Sequence, residues 1–295
     1  MKLFPVIAAA VLAFAAPAGA QQRPAERVQQ DIDAVDQSLL ALLNQRAALS
    51  QEAMAAAAGE GGPAFRPGAQ AARLRRLAAV NRGPLPNQAV FRIWQEVMGE
   101  TIRQIGPFTV AFAGPETVAS PLAVDYFGRS PTLVRAGTSA TLRGLIATGQ
   151  AHVGVITLDT GERGTPWWRT LAERGDAPAF QVVARLPLVT PSPGHVKAPG
   201  FVVATYGADA SGWDKALLVV DGAAGTTATA VADALGFLGW RRVAVLADAE
   251  ADPGHSWLVE ADAPNEDPRG IEPGKGPLSR IVRIGRYAEP LAANF

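Results

Sequence analysis

Arg46 is the side chain whose position asks for chemistry. Val28, Ile32, Val35, Leu39, Leu42, Leu49 and Ala53 follow one another in steps of four and three, apart from one gap that Arg46 fills. That period is the seam of a helix packed on a partner helix. A guanidinium on such a seam has two options. It can snorkel, with its stem on the apolar surface and its head in water. Or it can point into an interhelical pocket and meet an anion, because a buried charge needs a counter-charge. Spacing alone leaves both open.

Other chemistries fall away quickly. The 295 residues contain no cysteine, which excludes disulfides, thiolate metal sites and a cysteine nucleophile. The three histidines, His152, His195 and His255, form no pair at metal-ligand spacing, so neither a metal nor a cofactor is expected. Asp221-Gly222-Ala223-Ala224-Gly225-Thr226-Thr227 has the outline of a phosphate loop but lacks its lysine and full glycine spacing. An ordinary strand-to-helix turn is the better reading. His255-Ser256 lacks the setting of a nucleophile elbow and reads as strand entry. Lys plus Arg equals Asp plus Glu at 27 each, so nothing in the charge favours nucleic acid or an acidic membrane.

The elements that must position Arg46 are helical. The seam runs to Gly59-Glu60-Gly61-Gly62-Pro63, which ends the first helix. A second helix is predicted over about 68–80, with Arg73, Arg75 and Arg76 as a solvated face. After the turn Asn81-Arg82-Gly83-Pro84, a third runs over about 86–104. It buries Val90, Ile93, Trp94, Val97, Met98, Thr101 and Ile105, and Gly106-Pro107 closes the module. Ahead of all this, Met1-Lys2, an apolar stretch to Ala16, Pro17 and Ala18-Gly19-Ala20 have the three parts of a secretory signal peptide. Cleavage after Ala20 is expected, giving an exported protein, periplasmic or secreted, with no membrane association once the segment is removed.

Beyond residue 107 the pattern changes. Phe108–Ala113 alternates like a strand, a helical stretch reaches Phe127, 142–147 reads as a helix and 149–156 as a strand, which is a βαβ-type lobe. Trp167-Trp168 opens a short helix and is read as packing. Four prolines and two glycines between Pro187 and Gly200 mark a linker, taken as 188–213. Strands at 215–221, 242–247, 256–261 and 281–287, with a helix at 226–239, then follow the ferredoxin-like order. The fold class is therefore multidomain, α and α+β. The predicted divisions are 1–20, 24–106, 108–187, 188–213 and 214–291.

Ile32-Asp33-Ala34-Val35-Asp36, the run Leu39 to Arg46, Phe65-Arg66-Pro67-Gly68 and Asn81-Arg82-Gly83-Pro84-Leu85 resemble the all-helical chorismate mutase, in order and at its spacing. The resemblance implies three helices interlocked with a second subunit as a homodimer, with a site between helices. It also implies the rearrangement of chorismate to prephenate, a step of aromatic amino acid biosynthesis. That reaction forms no covalent intermediate, so a protein can only hold the dianion and stabilise charge building on its ether oxygen. Two carboxylates want arginines, and the ether oxygen wants a cation or an amide donor.

By that resemblance Arg46 matches the family's mid-helix arginine and is the expected catalytic and substrate-binding residue. Gln29 stands where another arginine is expected, and Ala55-Ala56-Ala57-Ala58 covers the place of a lysine. Ala69-Gln70 replaces an Arg-Glu pair. Thr101 matches a serine or threonine, and Ile105 stands where a glutamine is expected, with Gln104 beside it. The expected binding set is Arg46, Thr101, Gln104 and Gln29. Its ligand is a small dicarboxylate or aromatic molecule, bound with little or no catalysis.

The region after 107 is similar to the first lobe of prephenate dehydratase. It lacks that family's catalytic Thr-Arg-Phe run, so dehydratase activity is not expected. Residues 214–291 resemble the ACT module that follows dehydratases, without its usual ligand motifs. The two readings of the whole chain are a chorismate mutase with a depleted site and an exported non-catalytic binder of an aromatic or carboxylate ligand.

Overall fold

The structure, a computed structural model, describes residues 24–59, 63, 65–104, 106–173, 179–190, 199–251, 254–264, 268 and 276–292. The signal segment, His195 and Ile105 lie outside that set. Two compact units divide between Leu49 and Ser50, not at the Gly106-Pro107 closure.

The first unit is carried by α1 (Ala25–Gly59) as far as Leu49. Its seam is as spaced in the sequence, but Ile32, Val35, Leu39, Leu40, Leu42 and Leu49 are 47–64% exposed. An isolated helix draws most of its stability from packing an apolar face. Within the first unit, the described residues leave this face exposed.

The second unit begins with the last turns of α1. It continues through α2 (Pro67–Val80), α3 (Asn87–Arg103), β1 (Thr109–Ala113), α4 (Glu116–Phe127), β2 (Thr132–Arg135), α5 (Ser139–Ala147) and β3 (Val153–Thr157). Next come α6 (Trp167–Ala172), β4 (Gln181–Leu186), β5 (Val189–Thr190), β6 (Gly200–Ala204) and β7 (Asp214–Gly222). The chain ends with α7 (Ala228–Leu238), β8 (Ala244–Glu250), β9 (His255–Asp262), β10 (Leu278–Ala288) and β11 (Leu291–Ala292).

One nine-stranded sheet, ordered β2-β1-β3-β6-β4-β10-β7-β9-β8, runs through the unit. β1, β2 and β3 are parallel, as βαβ crossovers require. β7 to β10 lie in the antiparallel order β10-β7-β9-β8, which is the ferredoxin-like arrangement read from the sequence. β6 falls inside the segment expected to be a linker and pairs with both β3 and β4. Its residues Gly-Phe-Val-Val-Ala are all buried, as a central strand demands.

The two halves of the sheet meet at one point, where Gly285 of β10 pairs with Val182 of β4. A Cβ on Gly285 would lie 2.4 Å from the Val182 carbonyl oxygen. Only glycine lets the strands close there. Gly285→Ala is expected to cost about 1–3 kcal/mol, the usual penalty for overpacking, read as a lower denaturant midpoint with an unchanged slope.

α2 and α3 share the core of this sheet. Phe65, Leu74, Phe91 and Met98 are buried in one cluster with Phe108, Val110, Leu122 and Phe127. Phe65 sits 5.1 Å from the Phe127 ring and edge-on to Tyr126 at 6.0 Å. Two corrections to the helix faces follow. Ile93 is exposed, and Phe91 is buried in its stead. Arg75 is not on the solvated face: it donates to Ser211, Trp213 and Glu289 and lies over the Trp213 ring at 5.3 Å. Asp209 accepts from the backbone N–H of Gly68 and of Ala69, capping α2 from 140 residues away. The helical hairpin is thus tied to the segment that leads into β7.

Candidate functional site

The four sequence-predicted residues fall on two helices. Gln29 and Arg46 belong to the first unit, and Thr101 and Gln104 to the second. Gln29 is exposed, and its Nε2 donates to Asp33 Oδ1 at 2.9 Å, one turn further on. Arg46 is half-buried. Seventeen residues separate the two on one helix, a distance of about 25 Å along the axis. No single small carboxylate reaches both within one chain.

On α3, Thr101 is buried and its hydroxyl donates to the Val97 carbonyl oxygen at 2.8 Å. This back-bond satisfies the hydroxyl proton. Gln104 caps the helix and is exposed; its Oε1 accepts from Gln51 Nε2 at 3.3 Å. Gln70, the replacement for an expected glutamate, is buried on the first turn of α2.

A residue that sequence reasoning missed organises the end of α3. Glu100 accepts a fork from Arg103, and its Oε2 accepts from the Ser130 hydroxyl at 2.5 Å. The hydrogen bonds from Arg103 and Ser130, more than the charge of Arg103, hold the Glu100 carboxyl down at about 2, against an ordinary 4.5. A carboxyl depressed in the folded state stabilises it fully above the unfolded value and loses that contribution as pH falls toward the folded one. An NMR titration is expected to show Glu100 ionised through pH 4, with a midpoint near 2. The i,i+3 spacing of Glu100 and Arg103 was the available signal; nothing local pointed to Gln51 or Ser130.

The lobe offers a second place to look, because open parallel sheets take ligands beyond the carboxyl ends of their strands, where the crossovers diverge. Here that place is occupied by the chain itself. The Glu162 carboxylate accepts from Ser139 N at 2.7 Å and Ser139 Oγ at 2.8 Å, at the start of α5. Trp167 and Trp168 are buried, and Trp167 Nε1 donates to Thr157 O at 3.1 Å, so the tryptophan pair is packing as expected.

The Gly-rich turn also resolves as plain structure. Thr227 caps α7 through Ala230 N, and Asp221 accepts from the hydroxyl of Ser256. His255 lies 2.8 Å from Asp248, and His152 accepts from Thr109 N. Among the described residues no group of three or more His, Asp or Glu side chains could hold a metal, and no helix is long and apolar enough to cross a membrane.

Residues 28–105 match the family model of chorismate mutase type II. A bifunctional chorismate mutase/prephenate dehydratase of Neisseria gonorrhoeae is 34% identical over 136 residues, covering 45% of this chain and 37% of that protein. The protein of that description from Pseudomonas aeruginosa is 28% identical over 139 residues, covering 45% and 38%. A stretch of that length does not fit within residues 1–105, so the likeness continues into the lobe. The matched part spans less than two fifths of either relative. Among solved structures, a prephenate dehydratase from Arthrobacter aurescens in complex with L-Phe aligns at a TM-score of 0.42 and 13% identity, covering 62% of this chain and 90% of that one.

Proposed function

We propose, from the membership of residues 28–105 in the chorismate mutase type II family, that this chain is an exported homodimer binding a chorismate-class carboxylate through Arg46. Its mutase turnover is far below that of a fully equipped site. The observation that carries the reading is Arg46 retained at the family's mid-helix position while Gln29, Ala55–Ala58 and Ala69 replace three cations. One arginine does not offset the desolvation of two carboxylates. Each missing oxyanion-type donor lowers the rate by about 10²–10³.

Two observations support the dimer. The exposed leucine-rich face of α1 needs a cover, and a second copy of the same helix supplies one of matching spacing. The separation of Gln29 from Arg46 also fits a site to which each subunit gives one end of its long helix. Export rests on the residues from Lys2 to Ala20. Dehydratase activity is not part of the proposal, since the Thr-Arg-Phe run is missing from the sequence.

The deciding experiment is chorismate consumption by the protein beginning at Gln21, beside calorimetry with chorismate, prephenate and phenylalanine. Measurable binding of chorismate or prephenate with turnover at least about 10²-fold below a fully equipped mutase is expected. Full-speed turnover would refute the depleted site, and absence of binding to any of the three would refute the ligand class. Light scattering at micromolar concentration is expected to give twice the chain mass, and the mass of the exported protein to begin at Gln21.

A further inference from the structure

Between Glu60 and Glu96 the sequence carries six arginines, Arg66, Arg73, Arg75, Arg76, Arg82 and Arg92, and no acidic residue. The equal totals of positive and negative residues over the whole chain hide this excess. Arg75 is spent on the tether to Ser211, Trp213 and Glu289. The other five are exposed. Arg66 stands 3.6 Å from Asp209, and Arg82 donates to the carbonyl oxygen of Asn81 beside it. Among the described residues, Arg73, Arg76 and Arg92 meet no carboxylate. Arginines elsewhere do: Arg135 meets Glu116, Arg185 meets Glu260 and Arg286 meets Asp214.

We propose that the outer face of the α2–α3 hairpin docks on an anionic lipid surface. Arg66, Arg73, Arg76 and Val80 lie at i, i+7, i+10 and i+14, which is one face of α2 over about 21 Å. Like charges at such spacing repel one another, and an anionic surface turns that cost into attraction. The aliphatic side chains among the arginines choose the partner. Val80 is 72% exposed, Leu85 in the turn with Arg82 is 47%, and Ile93 next to Arg92 is 45%. At a bilayer they enter the headgroup layer while the guanidiniums meet lipid phosphates. Nucleic acid offers the arginines similar phosphates but gives the aliphatic groups nothing. No aromatic ring is exposed among the described residues of the hairpin for a base to stack on. The apolar face of α2, with Ala71, Leu74 and Ala78, is already buried in the core, so the contact is peripheral and sensitive to salt.

The test is sedimentation of the full mature chain, beginning at Gln21, with phosphatidylcholine vesicles that contain or lack phosphatidylglycerol, beside titration with duplex DNA. Binding is expected only where phosphatidylglycerol is present. It is expected to disappear as salt rises from about 0.1 to 1 M, which shortens the screening length from about 10 to 3 Å. Arg73→Gln combined with Arg76→Gln is expected to weaken it about 25-fold, or about five-fold for each charge. Val80→Ser combined with Leu85→Ser is expected to weaken it too. Arg163→Gln, at an exposed arginine of the lobe, is expected to leave it unchanged. All of these are surface positions, so denaturant midpoints near the wild type separate lost binding from lost fold. No binding to the anionic vesicles would overturn the proposal, and so would binding that survives the paired arginine change or falls equally with Arg163→Gln. Duplex DNA bound more tightly than the vesicles would overturn it as well, and would assign the face to nucleic acid.

Discussion

Arg46→Ala is expected to abolish chorismate binding and whatever mutase turnover the chain has. On the proposed reading Arg46 is the cation that meets the ligand, and the neighbouring seam positions on its face of α1 are Leu39, Leu42 and Leu49. Truncation removes the guanidinium that pairs with a carboxylate, a charge-assisted interaction whose loss from a buried partner costs about 3–5 kcal/mol, or two to four decades in affinity. Arg46→Leu extends the apolar seam. It is expected to lose binding equally while leaving stability unchanged or raised, since replacing a charge in an apolar setting by a well-packed leucine is neutral or favourable. Calorimetry and denaturant midpoints on both variants check the pair of effects. Wild-type affinity in Arg46→Ala would show that the family pocket is not used. A shift under about 1 kcal/mol in both variants, with binding intact, would identify a snorkelling arginine.

Cutting the chain after Gly106 is expected to leave a helical fragment that does not fold. In the sequence, 24–106 reads as an independent module. In the structure, α2 and α3 bury Phe65, Leu74, Phe91 and Met98 against the sheet. Exposing four such side chains costs about 1.5–3 kcal/mol each, a total comparable with the whole stability of an ordinary domain. The Asp209 cap of α2 and the four acceptors of Arg75 are lost in the same cut. Residues 21–106 alone are expected to show poor amide dispersion and low helicity, while residues 21–295 show a cooperative transition. A fragment with well-dispersed amides would contradict this.

Acid should also loosen the end of the sheet near β10. Burial works against the charge of Asp262, but hydrogen bonds from Arg242 and Lys215 outweigh it and hold the carboxyl below its usual range. Its stabilising contribution is present above the ordinary carboxylate range and is lost as pH falls through the lowered folded value. Asp262→Asn is expected to flatten that part of the stability profile, measured as the denaturant midpoint between pH 5 and 2. The mostly buried Lys215 would keep Glu289 at 3.6 Å as its remaining partner in that variant.

Local periodicity carried much of the fold into view. The seam of α1, the glycine and proline punctuation around α2 and α3, and the strand-helix order from β7 to β10 depend on residues close in sequence, and each lies within a few residues of its expected bounds. The same holds for Arg46, which stands out because it breaks a local repeat. β2, β4 and β6 were not foreseen. Four to six residues without a clean alternation say little until the neighbouring strand is known.

The sequence by itself determined the helical family region, the arginine that interrupts its seam and the ferredoxin-like strand order, because helix period, turn chemistry and residue identity are properties of short stretches. Only the tertiary structure decided that one sheet joins lobe and ferredoxin-like strands through Gly285 and Val182, and that Arg75 is a tether instead of a solvated charge. It alone brought Gln51 to Gln104 and Ser130 to Glu100. The physical reason is common to all three. A hydrogen bond between residues 30 to 214 positions apart leaves no trace in the spacing of either residue and exists only once packing has fixed where both elements lie.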